Sequence, residues 1–250
     1  MVPYAPDMSH IDGKIAIVTG AVRGLGAAYA VALSDAGATV ITCDVQPGCD
    51  AIVDVADGDA IKAFVDEVVA AHGPIGILIA NAGVCKFTNP LDPWEQAEAD
   101  FDFHIGTNLR GLYLTGRAVL PSMVGNGGGH LVLICTDHTC RPDDWPYTGG
   151  TLDSYDASKW GVLGLTTSWA SALAPKGVRV NAVSMGATDT EMLRSFIRTT
   201  TGKDPTAEVA ATWMQPEQIA ALVVELVEEG PTGRTGTNIP VIVGRPIALP

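Results

Sequence analysis

Tyr155 and Lys159 stand four residues apart in Tyr-Asp-Ala-Ser-Lys, a spacing that on a helix puts both side chains on one face. A free tyrosine titrates near pH ~10, too high for a base at neutral pH. An ammonium beside the phenol favours the phenolate, so the pair can take a proton from an alcohol or return one to a carbonyl. Lysine has three donors, which also lets it hold ribose hydroxyls. Alone, such a pair is equally a solvated surface feature; the residues upstream decide between the two. Gly20, Gly24 and Gly26 lie in Thr-Gly-Ala-Val-Arg-Gly-Leu-Gly, where a strand hands over to a helix. A phosphate can approach glycine backbone closely, and the free amides from Arg23, Gly24 and Leu25 onward face it at the helix start. A tight turn without a ligand uses the same glycines.

Asp44 sharpens this reading, because it ends the second expected strand. A carboxylate there accepts hydrogen bonds from the adenosine ribose hydroxyls and repels a 2′-phosphate. Arg23 could pair with that phosphate instead, but Asp44 stands against the 2′ position itself, so NAD is expected and NADP is the alternative. Asp54 and Val55 either line the adenine or belong to an ordinary loop.

These residues need a scaffold that brings strand ends together. Short apolar runs alternate with helical segments: Ile15–Val18, Thr39–Cys43, Ala51–Val55, Ile77–Ala80, Leu131–Ile134, Val178–Val183 and Ile239–Val243 read as strands. Helices are expected over Leu25–Ala36, Asp59–His72, one or two between 95 and 123, Tyr155–Leu173 and Glu217–Glu228. The strands are apolar without alternation, as strands buried on both faces are. The expected fold is therefore α/β: a Rossmann-like, doubly wound parallel sheet of about seven strands with helices on both faces, one domain over 1–250. Residues 188–213 are the least regular and are expected to fold over the site as a lid.

The chain has 250 residues and a net charge of −13, a surface that repels phosphate backbones and anionic lipid, so nucleic-acid and membrane partners are not expected. Its five cysteines show no Cys-x-x-Cys spacing, and no metal or disulfide framework is expected. Without a secretory signal or a membrane-length apolar run, a soluble cytoplasmic protein is expected.

Over residues 11–244 the chain resembles the short-chain dehydrogenase/reductase family of the classical type. The matching pieces are Thr19–Gly26, Asn81-Ala82-Gly83, Asn108 in Thr-Asn-Leu-Arg-Gly, Tyr155 with Lys159, and Asn181–Gly186 followed by Thr188 and Thr190. The resemblance implies a catalytic set of Asn, Ser, Tyr and Lys. Asn108 would help hold a water that passes protons from Lys159. Asn81, Ala82 and Gly83 would support the sheet beside the adenosine, and Gly186, Thr188 and Thr190 would hold the nicotinamide amide and phosphates. The family serine is replaced: alignment from Leu131–Cys135 puts Thr136 in its place, with Thr139 the weaker candidate. A threonine hydroxyl donates the same hydrogen bond, but its methyl narrows the pocket. Met185 stands where proline commonly precedes the glycine, which would loosen that turn.

Thr136 and Tyr155 are 19 residues apart, longer than the family's usual gap, and the surplus is the loop 141–150, so His138, Trp145 and Tyr147 are expected at the substrate mouth or packed within the loop. Met192 and its apolar neighbours in the lid point to a cyclic or otherwise hydrophobic alcohol or ketone. Gly161, Gly164, Ser168 and Ala172 form a small-residue face, which in similar proteins pairs across a two-fold, implying a homodimer or homotetramer. The reading is an NAD-dependent secondary-alcohol dehydrogenase or ketone reductase. An NADP-dependent carbonyl reductase and a dinucleotide-sensing protein without turnover are its rivals.

Overall fold

In the computed structural model, which describes residues 9–140 and 152–250, strand side chains face apolar layers on both sides. Ala16 and Val18 join one core and Ile17 the other, and Ile77 and Ile79 divide from Leu78 in the same way. Among the described residues seven strands form one sheet: β1 (Ile15–Thr19), β2 (Thr39–Asp44), β3 (Ala51–Ile52), β4 (Ile75–Ala80), β5 (Gly129–Thr136), β6 (Val178–Met185) and β7 (Asn238–Val241). Their order is β3-β2-β1-β4-β5-β6-β7, and every pairing is parallel. The expected fold is thus the observed one, with β3 shorter than the run 51–55 and β7 ending at Val241.

Helices α1 (Gly24–Asp35), α2 (Gly58–His72), α3 (Trp94–His104), α4 (Leu112–Gly125), α5 (Asp153–Leu173), α6 (Glu191–Thr201), α7 (Ala207–Ala210) and α8 (Pro216–Glu228) connect the strands. Tyr29 and Leu33 of α1 meet Ile219, Leu222, Val223 and Leu226 of α8 on one face. Residues of α2, α4 and α5, such as Ile61, Val119 and Val162, cover the other. Truncating a fully buried leucine such as Leu222 to alanine at this depth costs about 2–5 kcal/mol. Between α3 and α4 the helix runs on through Ile105–Gly111 with π-type hydrogen bonding, so residues 94–125 form one continuous rod with a bulged middle.

The segment expected to be least regular, 188–213, holds α6 and α7. Thr190 caps α6 by accepting the Leu193 N–H, and Gly202, at φ 72°, closes it. The signal was present in sequence: Met192, Leu193, Phe196 and Ile197 recur at helical spacing behind a threonine. The strand order reverses between β1 and β4, and that reversal opens a crevice at the carboxyl ends of the strands, where the signature residues gather.

Candidate active site

The glycine turn occupies the start of this crevice. Gly20 and Gly24 take φ of 65° and 59°, and a Cβ on Gly20 would fall 2.7 Å from the Ala82 Cα. A Cβ on Gly26 would fall 2.1 Å from the Gly20 carbonyl, so the helix can approach the strand only as glycine. No side chain caps α1, whose first-turn amides are left for an external acceptor. Asn81 ties the end of β4 to the turn: its amide donates to the carbonyls of Thr19 (3.0 Å) and Gly20 (2.9 Å). The Thr19 hydroxyl accepts the N–H of both Asn81 and Ala82.

Asp44 ends β2 with its carboxylate held by the backbone N–H groups of Val22 (3.2 Å) and Gln46 (2.9 Å). Arg23 reaches past it to Gln46 Oε1 at 2.6 Å. Asp54 is exposed and closes its own turn on the Ala56 N–H. Val55 is buried, its Cγ2 2.7 Å from where a Gly111 Cβ would lie.

Beyond the turn lies a cleft of about 370 Å³, lined by Leu25, Asn81, Gly83, Thr136, His138, Tyr155, Lys159, Gly186, Thr188, Thr190 and Met192 together with apolar neighbours. Tyr155 and Lys159 lie one turn apart on α5, with the Lys159 Nζ 5.9 Å from the phenol ring centre. That Nζ donates to the Ile134 carbonyl at 3.0 Å. Thr136 lines the same cleft as Tyr155, and its hydroxyl accepts the His138 N–H at 3.5 Å. Thr139 instead bonds the Thr136 carbonyl (2.7 Å) and Ser184 (3.1 Å), buried behind the site. Of the two candidates for the serine's place, Thr136 is the one that lines the cleft with the tyrosine.

Burial pushes the Tyr155 phenol well above its ordinary range, the Cys85 and Cys135 thiols add to the push, and the Thr136 side chain opposes it. Burial likewise holds Lys159 below the usual lysine range, and its ammonium spends one donor on the Ile134 carbonyl.

Asn108 sits at the centre of the π segment, fully buried. Its amide pairs with Val84, accepting the N–H (2.8 Å) and donating to the carbonyl (3.0 Å), and it also donates to Ser158 (3.1 Å). A Cβ on Gly83 would fall 3.3 Å from the Asn108 Oδ1 and 3.7 Å from the Lys159 Nζ, so Gly83 is where the two side chains converge. The π bulge is what turns Asn108 towards the strand end.

Thr188 is buried and bridges to Met214, and Thr190 rests its methyl 3.3 Å from where a Gly24 Cβ would lie. The first turn of α6 therefore abuts the glycine turn. Phe196 of α6 and Phe87 meet with ring centres 6.0 Å apart, above the cleft. Met185 is packed in the core, and the Gly186 N–H bonds the Val241 carbonyl at 2.9 Å, so the turn expected to be loose is held. His138 lines the cleft; Trp145, Tyr147 and the rest of the expected loop 141–150 lie outside the described residues.

Of the tyrosine's neighbours, His138 was expected near the site, whereas His104, Ser154, Ser158 and Asp137 were not read from the sequence. His104 and His138 approach the Tyr155 ring edge-on, at 5.8 Å and 6.3 Å. His104 accepts the Lys86 N–H at Nε2 (3.1 Å), which leaves Nδ1 to donate to Ser154 (2.9 Å), and burial keeps the ring below the usual histidine range. His138 pairs with Asp156 at 2.8 Å, and that bond raises it. Ser154 and Ser158, four apart around Tyr155, carried the only local signal. Asp137, next to Thr136, carried none.

The family model for short chain dehydrogenases matches residues 14–201. The oxidoreductase UcpA of Escherichia coli K12 is 32% identical over 216 residues, covering 79% of this chain and 78% of that protein. Among solved structures, ligand-free aldohexose dehydrogenase of Thermoplasma acidophilum superposes with a TM-score of 0.83 at 27% identity, covering 97% of this chain and 99% of that one. Carveol dehydrogenase of Mycobacterium avium, solved in complex with NAD, gives 0.82 at 26% identity over 95% and 99% of the two chains.

Proposed function

The chain belongs to the short-chain dehydrogenase family and is an oxidoreductase of that family; from this premise we propose that it interconverts a secondary alcohol and its ketone using NAD. The observation that carries the reading is Tyr155 and Thr136 lining one cleft, with Lys159 one turn on and its Nζ 5.9 Å from the phenol ring centre. The residues present suit a dinucleotide: a glycine cradle that a Cβ would fill, uncapped amides at α1, and a carboxylate held at the end of β2. In this reading Gly20, Arg23, Gly24, Leu25 and Gly26 hold the pyrophosphate, and Asp44 takes the adenosine ribose. Asp54, Val55, Asn81, Ala82 and Gly83 flank the adenosine side; Gly186, Thr188 and Thr190 take the nicotinamide end. When bound, the nicotinamide ring exchanges a hydride with the carbinol carbon.

The rest falls to the chain's own side chains. Thr136 donates a hydrogen bond to the substrate oxygen, and Tyr155 takes the hydroxyl proton in oxidation and returns it in reduction. Because burial favours the neutral phenol, the base form depends on the Lys159 ammonium and on any positive charge brought into the cleft. Lys159 also holds the nicotinamide ribose, and Asn108 maintains the proton path. Met192, Phe196 and Leu193 give the mouth an apolar wall suited to a cyclic or hydrophobic body, with His138 beside it. The NAD-bound carveol dehydrogenase, named for an alcohol, supports both halves of the proposal. The contact of Arg23 with Gln46 beside Asp44 favours a second reading, an NADP-dependent carbonyl reductase.

A panel of cyclic secondary alcohols should reduce NAD, followed at the nicotinamide absorbance, and reduce NADP far less. Tyr155→Phe should cut turnover by roughly 10²–10⁴-fold while NADH binding holds. Wild-type turnover in the phenylalanine variant would defeat the mechanism, and equal use of NADP would favour the second reading. The assembly we propose is a homodimer or homotetramer, supported by the exposed Trp94 and Phe101 of α3 and Trp160 of α5.

A further inference from the structure

Asp137 has no part in the chemistry above, yet it is the one acidic side chain among the described residues that lines the cleft. It follows Thr136 directly, and the residue is only 7% exposed. The Thr136 hydroxyl donates to its Oδ1 across a long 3.4 Å, while the His138 N–H goes to the Thr136 hydroxyl. His138 turns its Nδ1 to Asp156 instead. The second oxygen, Oδ2, occupies space that only a glycine leaves open: a Cβ on Gly186 would sit 2.5 Å from it. Burial raises this carboxyl above the usual range, and the neighbouring His138 and the Thr136 hydroxyl only partly oppose it. A buried carboxylate whose one side-chain hydrogen bond among the described residues is long favours a ligand that brings a donor.

We propose that Asp137 is a specificity-determining residue that accepts a hydrogen bond from a second hydroxyl beside the reacting carbinol, so that the preferred substrate is a vicinal diol or its α-hydroxy ketone on an apolar body. The geometry gives the spacing. Asp137 lies one hydrogen bond from Thr136, so a substrate oxygen on Thr136 and a neighbouring hydroxyl on Asp137 would sit on adjacent carbons. A simple alcohol would leave the carboxylate buried against carbon, and sites built to bond a hydroxyl discriminate against analogues that lack it. The proposal rests on the redox reading above and narrows its substrate.

The test compares kcat/KM for cyclohexane-1,2-diol and cyclohexanol with NAD in the wild type, Asp137→Ala and Asp137→Asn, with NADH binding by fluorescence measured in each. Wild type should favour the diol by roughly 10–10²-fold. Asp137→Ala should bring the ratio near one, and Asp137→Asn should fall between, since an amide oxygen accepts without the charge. A wild type that turns over both equally, or a ratio unchanged in Asp137→Ala with NADH still bound, overturns the proposal. Should the alanine variant not fold, an unchanged ratio in Asp137→Asn overturns it. Turnover of neither alcohol by a wild type that binds NADH defeats the redox reading, and this proposal with it.

Discussion

Thr136 shows how one methyl group bears on the site. Its hydroxyl serves two neighbours, accepting the His138 N–H and donating to the Asp137 carboxylate, while its backbone ends β5 in register with Met185. Branching at Cβ stiffens χ1 and holds the hydroxyl in that position without help from a longer side chain. Thr136→Ser keeps the donor and should retain turnover within about tenfold, with KM rising more than kcat falls as the hydroxyl gains rotamers. Thr136→Val keeps the shape and removes the hydrogen bond, so kcat should drop by roughly 10²-fold or more with NADH affinity retained. Steady-state kinetics on the two variants separate shape from hydrogen bonding; equal activity in both would remove Thr136 from the chemistry. The position of the substitution was legible in the sequence, because β5 is a clear apolar run and Thr136 follows it. Its place in one cleft with a tyrosine 19 residues later was not, since loop length alone does not say how the chain returns.

At the level of elements, the N-terminus of α6 lies against the glycine turn. Thr190 caps the helix, donates to the Thr188 carbonyl at 3.3 Å, and lays its methyl against Gly24. Below it, Asp189 and Met214 bond backbone to backbone at 2.8 Å, and Arg194 pairs with Asp189 while lying over Trp213. The segment is thus anchored at its base, and its cap faces the glycine turn. Thr190→Ala removes a cap worth about 1 kcal/mol, so amides of 191–201 should exchange several-fold faster while the global unfolding midpoint barely moves. NADH affinity should weaken in the same variant, and unchanged exchange would detach the cap from the lid. The helical stripe Met192, Leu193, Phe196 and Ile197 was present in the sequence, within the segment 188–213 expected to be least regular. The π segment was hidden more deeply: nothing local distinguishes Ile105–Gly111 from a straight helix, and only packing against Val84 and Ser158 accounts for the bulge.

Across the whole molecule, the small-residue face of α5 divides between two uses. A Cβ on Gly161 would fall 2.7 Å from Leu109, so that glycine serves packing inside the chain, whereas Gly164 meets nothing within 4 Å. Trp160 is 45% exposed on the same helix, and Trp94 is 76% exposed on its neighbour α3. Aromatic area of that kind on adjoining helices matches the core of a protein–protein interface. Light scattering should therefore report a dimer or tetramer, and Trp160→Glu should shift it towards monomer by placing a charge in the contact. A monomeric wild type would remove the assembly from the proposal. No helix among the described residues is long and apolar enough to cross a membrane.

What the sequence determined by itself lies within reach of local geometry. Strand and helix periods, the glycine turn, Asp44 at a strand end and the four-residue spacing of Tyr155 and Lys159 all depend on backbone rules that act over a few residues. Tertiary structure alone decided the rest. Folding put Thr136 rather than Thr139 in the cleft, set two histidines edge-on to the phenol, and buried Asp137 against Gly186. These depend on distances through space and on the loss of water around charges, and neither is written in the order of residues along the chain.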